Sequence, residues 1–139
     1  MKVIGYYHGF ESDLEAFRLA DPDELVIVNT TPHEVTLLDE AGNVLLRIPP
    51  ARDPLRAAEK VKELGELAGV KLVEKQLDVE PYSKLPSTVG LRGYPVVHYV
   101  VPLAVAQMAG REDFLVPDEL VRDAEGRIVG ARRFARVRR

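Results

Sequence analysis

The sequence predicts an α+β fold: a single domain with a mixed, mostly antiparallel sheet and two or three helices packed on it. Three observations carry this prediction. Two apolar stretches turn around an Asp-x-x-Gly tetrapeptide, at Asp39–Gly42 and again at Asp123–Gly126, which suits a type I turn closed by a glycine at positive φ. Residues 54–68 repeat apolar side chains at helical spacing. Residues 96–116 run strand, helix, strand, so this part of the mostly antiparallel sheet could instead be one right-handed parallel crossover.

The composition is that of one soluble globular domain spanning residues 1–139. Hydrophobic residues make up 46% of the chain and charged residues 29%. Because cysteine is absent, disulfides, thiolate metal sites and a cysteine nucleophile are excluded. The sequence has neither a signal-peptide pattern nor an apolar run of bilayer length, so we expect a cytoplasmic protein. Arginine outnumbers lysine and proline is frequent, which favours a thermophilic or high-GC source.

The N-terminal part predicts a strand, a helix and a buried strand. The strand is expected at Lys2–Tyr7. A helix at Ser12–Ala20 follows, because Ser12 and Glu15 have the spacing of a capping box. Leu25–Asn29 is apolar up to its last residue, which is the pattern of a strand buried on both faces.

A second helix is predicted at Pro54–Ala68. Asp53 is a suitable N-cap, proline occupies the first helical position, and Gly69 is placed as a C-cap glycine. Residues 80–94 are expected to form a long irregular loop. The other predicted elements are strands at Val35–Leu38, Val44–Ile48, Val70–Val79, Pro95–Val101, Phe114–Val116, Leu120–Arg122 and Arg127–Val137, and a helix at Leu103–Ala109.

A polar cluster at residues 29–33 follows the first buried strand, and the end of a strand is a usual place for a site on a sheet. Asn29 and Thr31 offer amide and hydroxyl groups, and His33 can titrate near neutral pH. We therefore name Asn29, Thr31 and His33 as candidate ligand-binding residues, with His33 and Thr31 also as catalytic candidates. The same residue types also build turns that satisfy their own backbone, and that structural interpretation stays open.

Arg111 and Asp113 form the second polar corner, between a predicted helix and a predicted strand. An arginine here could clamp a phosphate or carboxylate in bidentate fashion, so both residues join the candidate ligand-binding set. The alternative is an Arg–Asp pair that fastens the corner to the rest of the fold. We expect no metal and no cofactor, because the three histidines lack close ligand spacing and no phosphate-binding or dinucleotide motif occurs.

The C-terminal end is basic. An end of this kind can contact nucleic acid, but this one lacks interleaved aromatic residues and a known nucleic-acid motif. We therefore favour a solvated strand over a nucleic-acid contact. Six arginines lie within the last thirteen residues, at Arg127, Arg132, Arg133, Arg136, Arg138 and Arg139.

Several motifs in order resemble a known family. The run Asn29-Thr30-Thr31-Pro32-His33 is similar to the Asn-Leu-Thr-Pro-His signature of a family of small uncharacterised proteins from bacteria and their phages. The hairpin at Asp39–Gly42, a Pro-Pro step and a Val-Arg-Asp-x-x-Gly-Arg-Ile-x-Gly run at Val121–Gly130 continue the resemblance. The resemblance covers roughly residues 26–135. It implies a small accessory protein of bacteria or their phages, and no activity is established for that family.

This chain departs from the family pattern in three ways. Thr30 replaces the family's leucine, and Ala131 stands where a cysteine is common, which argues against an essential thiol. The strand and helix of residues 1–22, together with the predicted helix Pro54–Ala68, are interpreted as additions to the family-like core.

Taken together, the sequence favours a non-enzymatic accessory protein that binds a small ligand or a protein partner near Asn29–His33. One alternative is an enzyme acting on a phosphorylated or nucleotide substrate, with His33 as acid/base and Arg111 as anion clamp. A second alternative is a nucleic-acid-associated factor that uses the basic C-terminus. The enzyme alternative requires His33, Thr31 and Arg111 to surround one pocket.

Overall fold

The computed structural model describes residues 3–7, 25–93 and 95–138. Within them lie nine strands and two helices. The strands are β1 (Val3–Tyr7), β2 (Leu25–Asn29), β3 (Val35–Leu38), β4 (Val44–Ile48), β5 (Ala58–Leu67), β6 (Val70–Asp78), β7 (Val96–Val100), β8 (Phe114–Arg122) and β9 (Ile128–Ala135). The helices are α1 (Glu80–Ser83) and α2 (Leu103–Ala109). The predicted helix Ser12–Ala20 falls outside the described residues.

Seven strands form one sheet in the order β1-β2-β7-β8-β9-β3-β4, and β5 and β6 form a separate two-stranded sheet. In the large sheet the neighbours β1–β2, β2–β7, β7–β8 and β9–β3 are parallel, whereas β8–β9 and β3–β4 are antiparallel. The sheet nearly closes on itself in a barrel-like manner. A parallel pair needs a long connection between its strands, and this chain supplies one between β2 and β7 and another between β3 and β9.

The α+β prediction is wrong. The structure is mostly β, with 49% strand and 10% helix, and its described helices number two. The sheet is mixed as expected, but it is not mostly antiparallel. The error came mainly from residues 54–68, which have the spacing of an amphipathic helix but contain a strand paired with the segment that directly follows it. The strand–helix–strand alternative is confirmed for residues 96–116, where β7 and β8 pair in parallel and α2 connects them.

The predicted helix Pro54–Ala68 is the largest local error. These residues contain β5, which pairs along its length with β6. The connecting turn places Ala68 at φ 52° and Gly69 at φ 81°, the two positive values that a two-residue type I′ hairpin requires. The helical spacing of Val61 and Leu64 predicted a buried helix face, but both side chains are more than half exposed.

Both Asp-x-x-Gly turns form as the sequence predicts. Asp39 Oδ1 accepts the backbone N–H of Asn43 at 2.8 Å, and Asp123 Oδ1 accepts that of Arg127 at 2.9 Å. The closing glycine of the second turn, Gly126, has φ 82°. Each aspartate thus organises its turn through contacts within four residues, so a local pattern was enough to predict it.

Strands β2 and β7 are buried on both faces, which confirms the interpretation of the apolar run at 25–29. Val26 and Val28 belong to one core cluster together with Tyr99 and Phe114. Ile27, between the two valines, belongs to a second cluster on the opposite face. The two clusters hold the middle of the seven-stranded sheet. Neither described helix has the length and apolar character needed to cross a bilayer.

Candidate functional site

Asn29 ends β2 and is fully buried. Its Nδ2 donates hydrogen bonds to the carbonyl oxygens of His33 at 2.7 Å and Pro49 at 3.0 Å. Its Oδ1 accepts the backbone N–H of Thr31 at 3.0 Å and the Thr31 hydroxyl at 2.7 Å. Both Nδ2 hydrogens and the carbonyl oxygen are therefore engaged within the chain, which is the satisfied state expected of a buried amide.

The two threonines extend this corner toward another segment. The Thr30 hydroxyl donates to the carbonyl oxygen of Val100 at 2.6 Å, which fastens the corner to β7. The carbonyl oxygen of Thr30 accepts the N–H of Leu55 at 3.1 Å, and that of Thr31 accepts the N–H of Ala51 at 2.8 Å. Residues 29–31 thus hold the segment 49–55, which leads directly into β5.

His33 lies on the surface beside this corner. Its carbonyl oxygen accepts hydrogen bonds from the side chains of Asn29 and Thr31, so the main chain of His33 belongs to the corner. The imidazole is exposed. Of the candidates at residues 29–33, His33 alone places its side chain in solvent.

Arg111 and Asp113 form the bidentate pair that the structural alternative described. Arg111 Nε lies 2.9 Å from Asp113 Oδ1, and Nη2 lies 2.6 Å from Oδ2. Asp113 is only 2% exposed. The guanidinium carbon also lies 4.4 Å from the centroid of the Phe114 ring, a cation–π distance.

The remaining Arg111 contacts reach the segment that follows the small sheet. Nη1 donates to the carbonyl oxygens of Tyr82 at 3.2 Å and Leu85 at 2.9 Å. An anion could be clamped by Arg111 only if these bonds or the bond to Asp113 were released. In this arrangement the arginine fastens residues 82–85 to the start of β8.

The two polar corners meet through Tyr82. Its hydroxyl donates to the carbonyl oxygen of Leu55 at 2.7 Å, so it joins the segment held by Asn29 to the segment held by Arg111. Burial raises the pKa of the Tyr82 phenol, with a smaller lowering effect from Arg56, and the protonated hydroxyl is the form that can donate this bond. We call Asn29, Thr30, Thr31, Tyr82, Arg111 and Asp113 the anchor.

The anchor holds the segments that precede and follow the β5–β6 hairpin. We call this hairpin the arm (residues 58–78). All of β5 and most of β6 are exposed on both faces, and neither core cluster includes a residue of the arm. Six large apolar side chains of the arm are between 37% and 68% exposed: Val61, Leu64, Leu67, Val70, Leu72 and Val73.

Register and strand alternation assign the arm side chains to two faces. One face carries Glu59 and Glu63, paired with Lys75 at 3.0 Å and Lys71 at 3.5 Å. The other face is polar near the anchor and apolar toward the turn, where Leu67 lies opposite Val70 and Leu72 follows. The arm therefore presents an apolar end on an ion-paired stem.

Three grooves on the described surface have volumes of about 270, 510 and 570 Å³. None of these three is lined by His33, Thr31 or Arg111. Within residues 25–93 and 95–138, no group of three histidine, aspartate or glutamate side chains could hold a metal ion.

The basic C-terminal segment is partly neutralised by neighbouring acids. Arg133 lies 2.6 Å from Asp118, and this hydrogen bond lowers the pKa of the Asp118 carboxyl. Arg127 lies 3.5 Å from Asp123 and 3.4 Å from Glu125. These pairs reduce the local positive charge that a nucleic acid would meet.

The sequence did not predict the arm, although a signal for it was present. The charges Glu59, Lys62 and Glu63 before Ala68-Gly69 are matched by the opposite charges Lys75, Glu74 and Lys71 after it, which is typical of cross-strand pairs around a two-residue turn. Comparison with known proteins adds nothing to this: no family model, curated protein or solved structure matches the chain.

Proposed function

We propose that this protein is a small accessory binding protein of a bacterium or its phage. It acts in the cytoplasm and binds another protein through the arm. The observation that carries the proposal is the exposure of the arm: six large apolar side chains are held in solvent on a hairpin outside both core clusters. Exposed apolar groups gathered on one element are a mark of a protein interaction surface.

The energetics of the hairpin support this proposal. A two-stranded hairpin is at best marginally stable by itself in water, so the anchor contributes much of what keeps the arm formed. Fully burying a leucine or valine side chain stabilises by roughly 1.5–3 kcal/mol. A partner that covers Leu67, Val70 and Leu72 would therefore gain several such increments while the anchor had already ordered the arm.

The charges of the arm favour a protein over a nucleic acid as partner. The arm carries four lysines against five acidic residues, a net charge of −1. Binding to the phosphate backbone depends on an excess of lysine and arginine. The pairing of Arg127 and Arg133 with acidic neighbours gives the C-terminal alternative little support.

The enzyme alternative, with His33 as acid/base and Arg111 as anion clamp, is less well supported. Arg111 directs its donors to Asp113, Tyr82 and Leu85, and a clamp would have to give up such bonds. We therefore assign Asn29, Thr31, Arg111 and Asp113 to positioning the arm, and we leave His33 as an exposed neighbour of the anchor.

A cross-linking experiment with a matched variant tests the proposal. The full chain is cross-linked in its source cells, captured partners are identified by mass spectrometry, and the affinity for each purified partner is measured by calorimetry. The double variant Leu67→Ser/Val70→Thr should weaken binding by at least about tenfold, because it removes apolar contact at the end of the arm. Leu103→Ser on α2 removes a leucine outside the arm that is 54% exposed, against 66% for Leu67, and should bind as the wild type does.

Two results would count against the proposal. One is a purified partner that binds the Leu67→Ser/Val70→Thr variant with unchanged affinity. The other is hydrogen exchange of the complex that protects the surface around His33 and leaves the amides of the arm unprotected, which would return the binding surface to the polar cluster.

A further inference from the structure

The two strands of the arm differ at their free edges. Among the described residues, each strand pairs with the other along one edge and has no strand along its outer edge, where N–H and C=O groups are left unpaired. β5 is interrupted by a bulge between Glu63 and Gly65, and Gly65 has φ 127°. β6 runs from Val70 to Asp78 without a bulge residue, a proline or a positive φ. The edge of β6 is therefore the regular one, with nine residues able to template another strand.

A second copy of this chain is a poor match for that edge. Two β6 strands related by a two-fold axis must place residues opposite each other in pairs centred on one residue. Centring on Val73 sets Lys71 opposite Lys75, and centring on Glu74 or Lys75 sets that residue opposite itself. Like charges directly opposite are destabilising in a sheet. Centring on Leu72 avoids them but pairs only five residues, Val70 to Glu74.

We propose that the free edge of β6 accepts an extended segment of a different protein as a third strand of the arm, and that this segment is acidic where it faces Lys71 and Lys75. The inference rests on the proposed function and names the kind of partner. Main-chain hydrogen bonds would supply affinity, while alternate side chains would supply specificity, as in strand addition generally.

The charge pattern of β6 defines the complementary segment. Lys71 and Lys75 lie on one face, four residues apart, with Val73 between them and Leu77 beyond. Each contacts a glutamate of β5, at 3.5 and 3.0 Å, but the two lysine side chains are 69% and 65% exposed. An ammonium group has three donors, so each can also contact a carboxylate across the free edge. Glu74 and Asp78 lie on the other face. The segment that fits carries two acidic side chains four residues apart, separated on the same face by an apolar one. A basic side chain opposite either lysine would be repelled.

Synthetic peptides of nine residues serve as the probe. The first alternates Val and Thr, except that Glu replaces two Thr four residues apart and Val replaces the Thr between them, and the second has Lys in place of both Glu. Each is titrated to millimolar concentration into the full-length ¹⁵N-labelled chain. The Glu peptide should protect the outward amides of β6 from hydrogen exchange and leave those of β5 unchanged, and it should bind roughly tenfold more tightly than the Lys peptide.

Two double variants of equal charge change test the role of the lysines. Lys71→Gln/Lys75→Gln should reduce the preference for the Glu peptide to roughly twofold or less, because the facing charges are gone. Lys60→Gln/Lys62→Gln removes the same charge from β5 and should keep the full preference. Exchange protection of the arm without peptide shows whether each variant still forms the hairpin.

Several outcomes overturn the inference. They are protection along β5 instead of β6, equal affinity for the two peptides, binding of neither peptide, and a concentration-dependent dimer of the free chain with protected β6 edges. If any of these occurs while partner capture still depends on Leu67 and Val70, the edge is wrong and the proposed function stands. If capture is independent of the arm, the proposed function itself falls.

Discussion

The seven-stranded sheet and the arm use similar apolar side chains in opposite ways. In β2, Val26, Ile27 and Val28 are at most 3% exposed and pack into clusters on both faces. In β6, Val70 and Leu72 are 68% and 41% exposed. The first strand is held by burial, whereas the second is held by cross-strand pairs and by the anchor. Burial therefore stabilises the seven-stranded sheet, which we call the body (β1–β4 and β7–β9). The anchor orders the arm before a partner covers it.

The largest effect should come from breaking the anchor at Arg111. Arg111→Leu leaves the Asp113 carboxylate buried without its partner, which should lower the free energy of unfolding by about 3–5 kcal/mol. Denaturant unfolding measures it. The exposed pair offers the control, since Arg133→Leu removes a partner of Asp118 at the surface and should leave the free energy of unfolding nearly unchanged. Equal costs for the two variants would contradict the structural role of Arg111.

A smaller loss should follow from adding one methyl group where β9 approaches β3. A Cβ at Gly130 would lie 2.9 Å from the Leu38 side chain and 3.0 Å from the Thr36 carbonyl oxygen. Gly130→Ala should therefore destabilise the body by about 1–3 kcal/mol, as overpacking usually does. The neighbouring Val129→Thr keeps a β-branched side chain at an exposed position and should leave the unfolding midpoint nearly unchanged. A neutral Gly130→Ala would mean that the two strands separate easily.

His98 should make the stability of the body depend on pH. Burial lowers the pKa of His98, Arg136 lowers it further, and Asp113 and Glu112 partly oppose both. Its Nδ1 is buried and has no hydrogen-bond partner among the residues that the structure describes. In the unfolded chain His98 therefore binds a proton near pH 6.5, whereas in the folded chain it does so only at lower pH. The free energy of unfolding is thus highest above that pH and falls as the pH drops below it.

The measurement is the free energy of unfolding of the wild type and of His98→Leu across that pH range. His98→Leu should flatten the pH dependence below pH 6.5, whereas His33→Gln, at an exposed position, should leave it in place. A wild type whose stability rises on acidification through this range would refute the assignment to His98.

The smallest effect should appear in the arm alone. Ala68 adopts φ 52°, which asparagine tolerates better than alanine, so Ala68→Asn should stabilise the hairpin by about 0.5–1 kcal/mol. Slower hydrogen exchange in β5 and β6 would report it, with an unchanged global unfolding midpoint. Ala41→Asn, in the Asp39–Gly42 turn, is the control. A shift of the global midpoint as large as the local one would show that arm and body unfold together.

The parts of the fold that the sequence predicted correctly depend on near neighbours. The turn after Asp39 formed because its carboxylate reaches Asn43, four residues away. The apolar run at 25–29 predicted its own burial on both faces. The helix predicted at Pro54–Ala68 was wrong although its partner strand is also near in sequence: its amphipathic spacing fitted a helix, but cross-strand pairing with Val70–Asp78 overrode that preference.

The candidate site divides along the same line. By itself, the sequence determined that Asn29 and Arg111 head the two most polar corners of an otherwise apolar core. Only the tertiary structure decided what those corners do, because Asn29 bonds to Pro49 across 20 residues and Arg111 to Tyr82 across 29. A buried polar group must find a partner, and local sequence does not say whether that partner is a ligand or a distant carbonyl. Here the partners lie in the segments that precede and follow the arm.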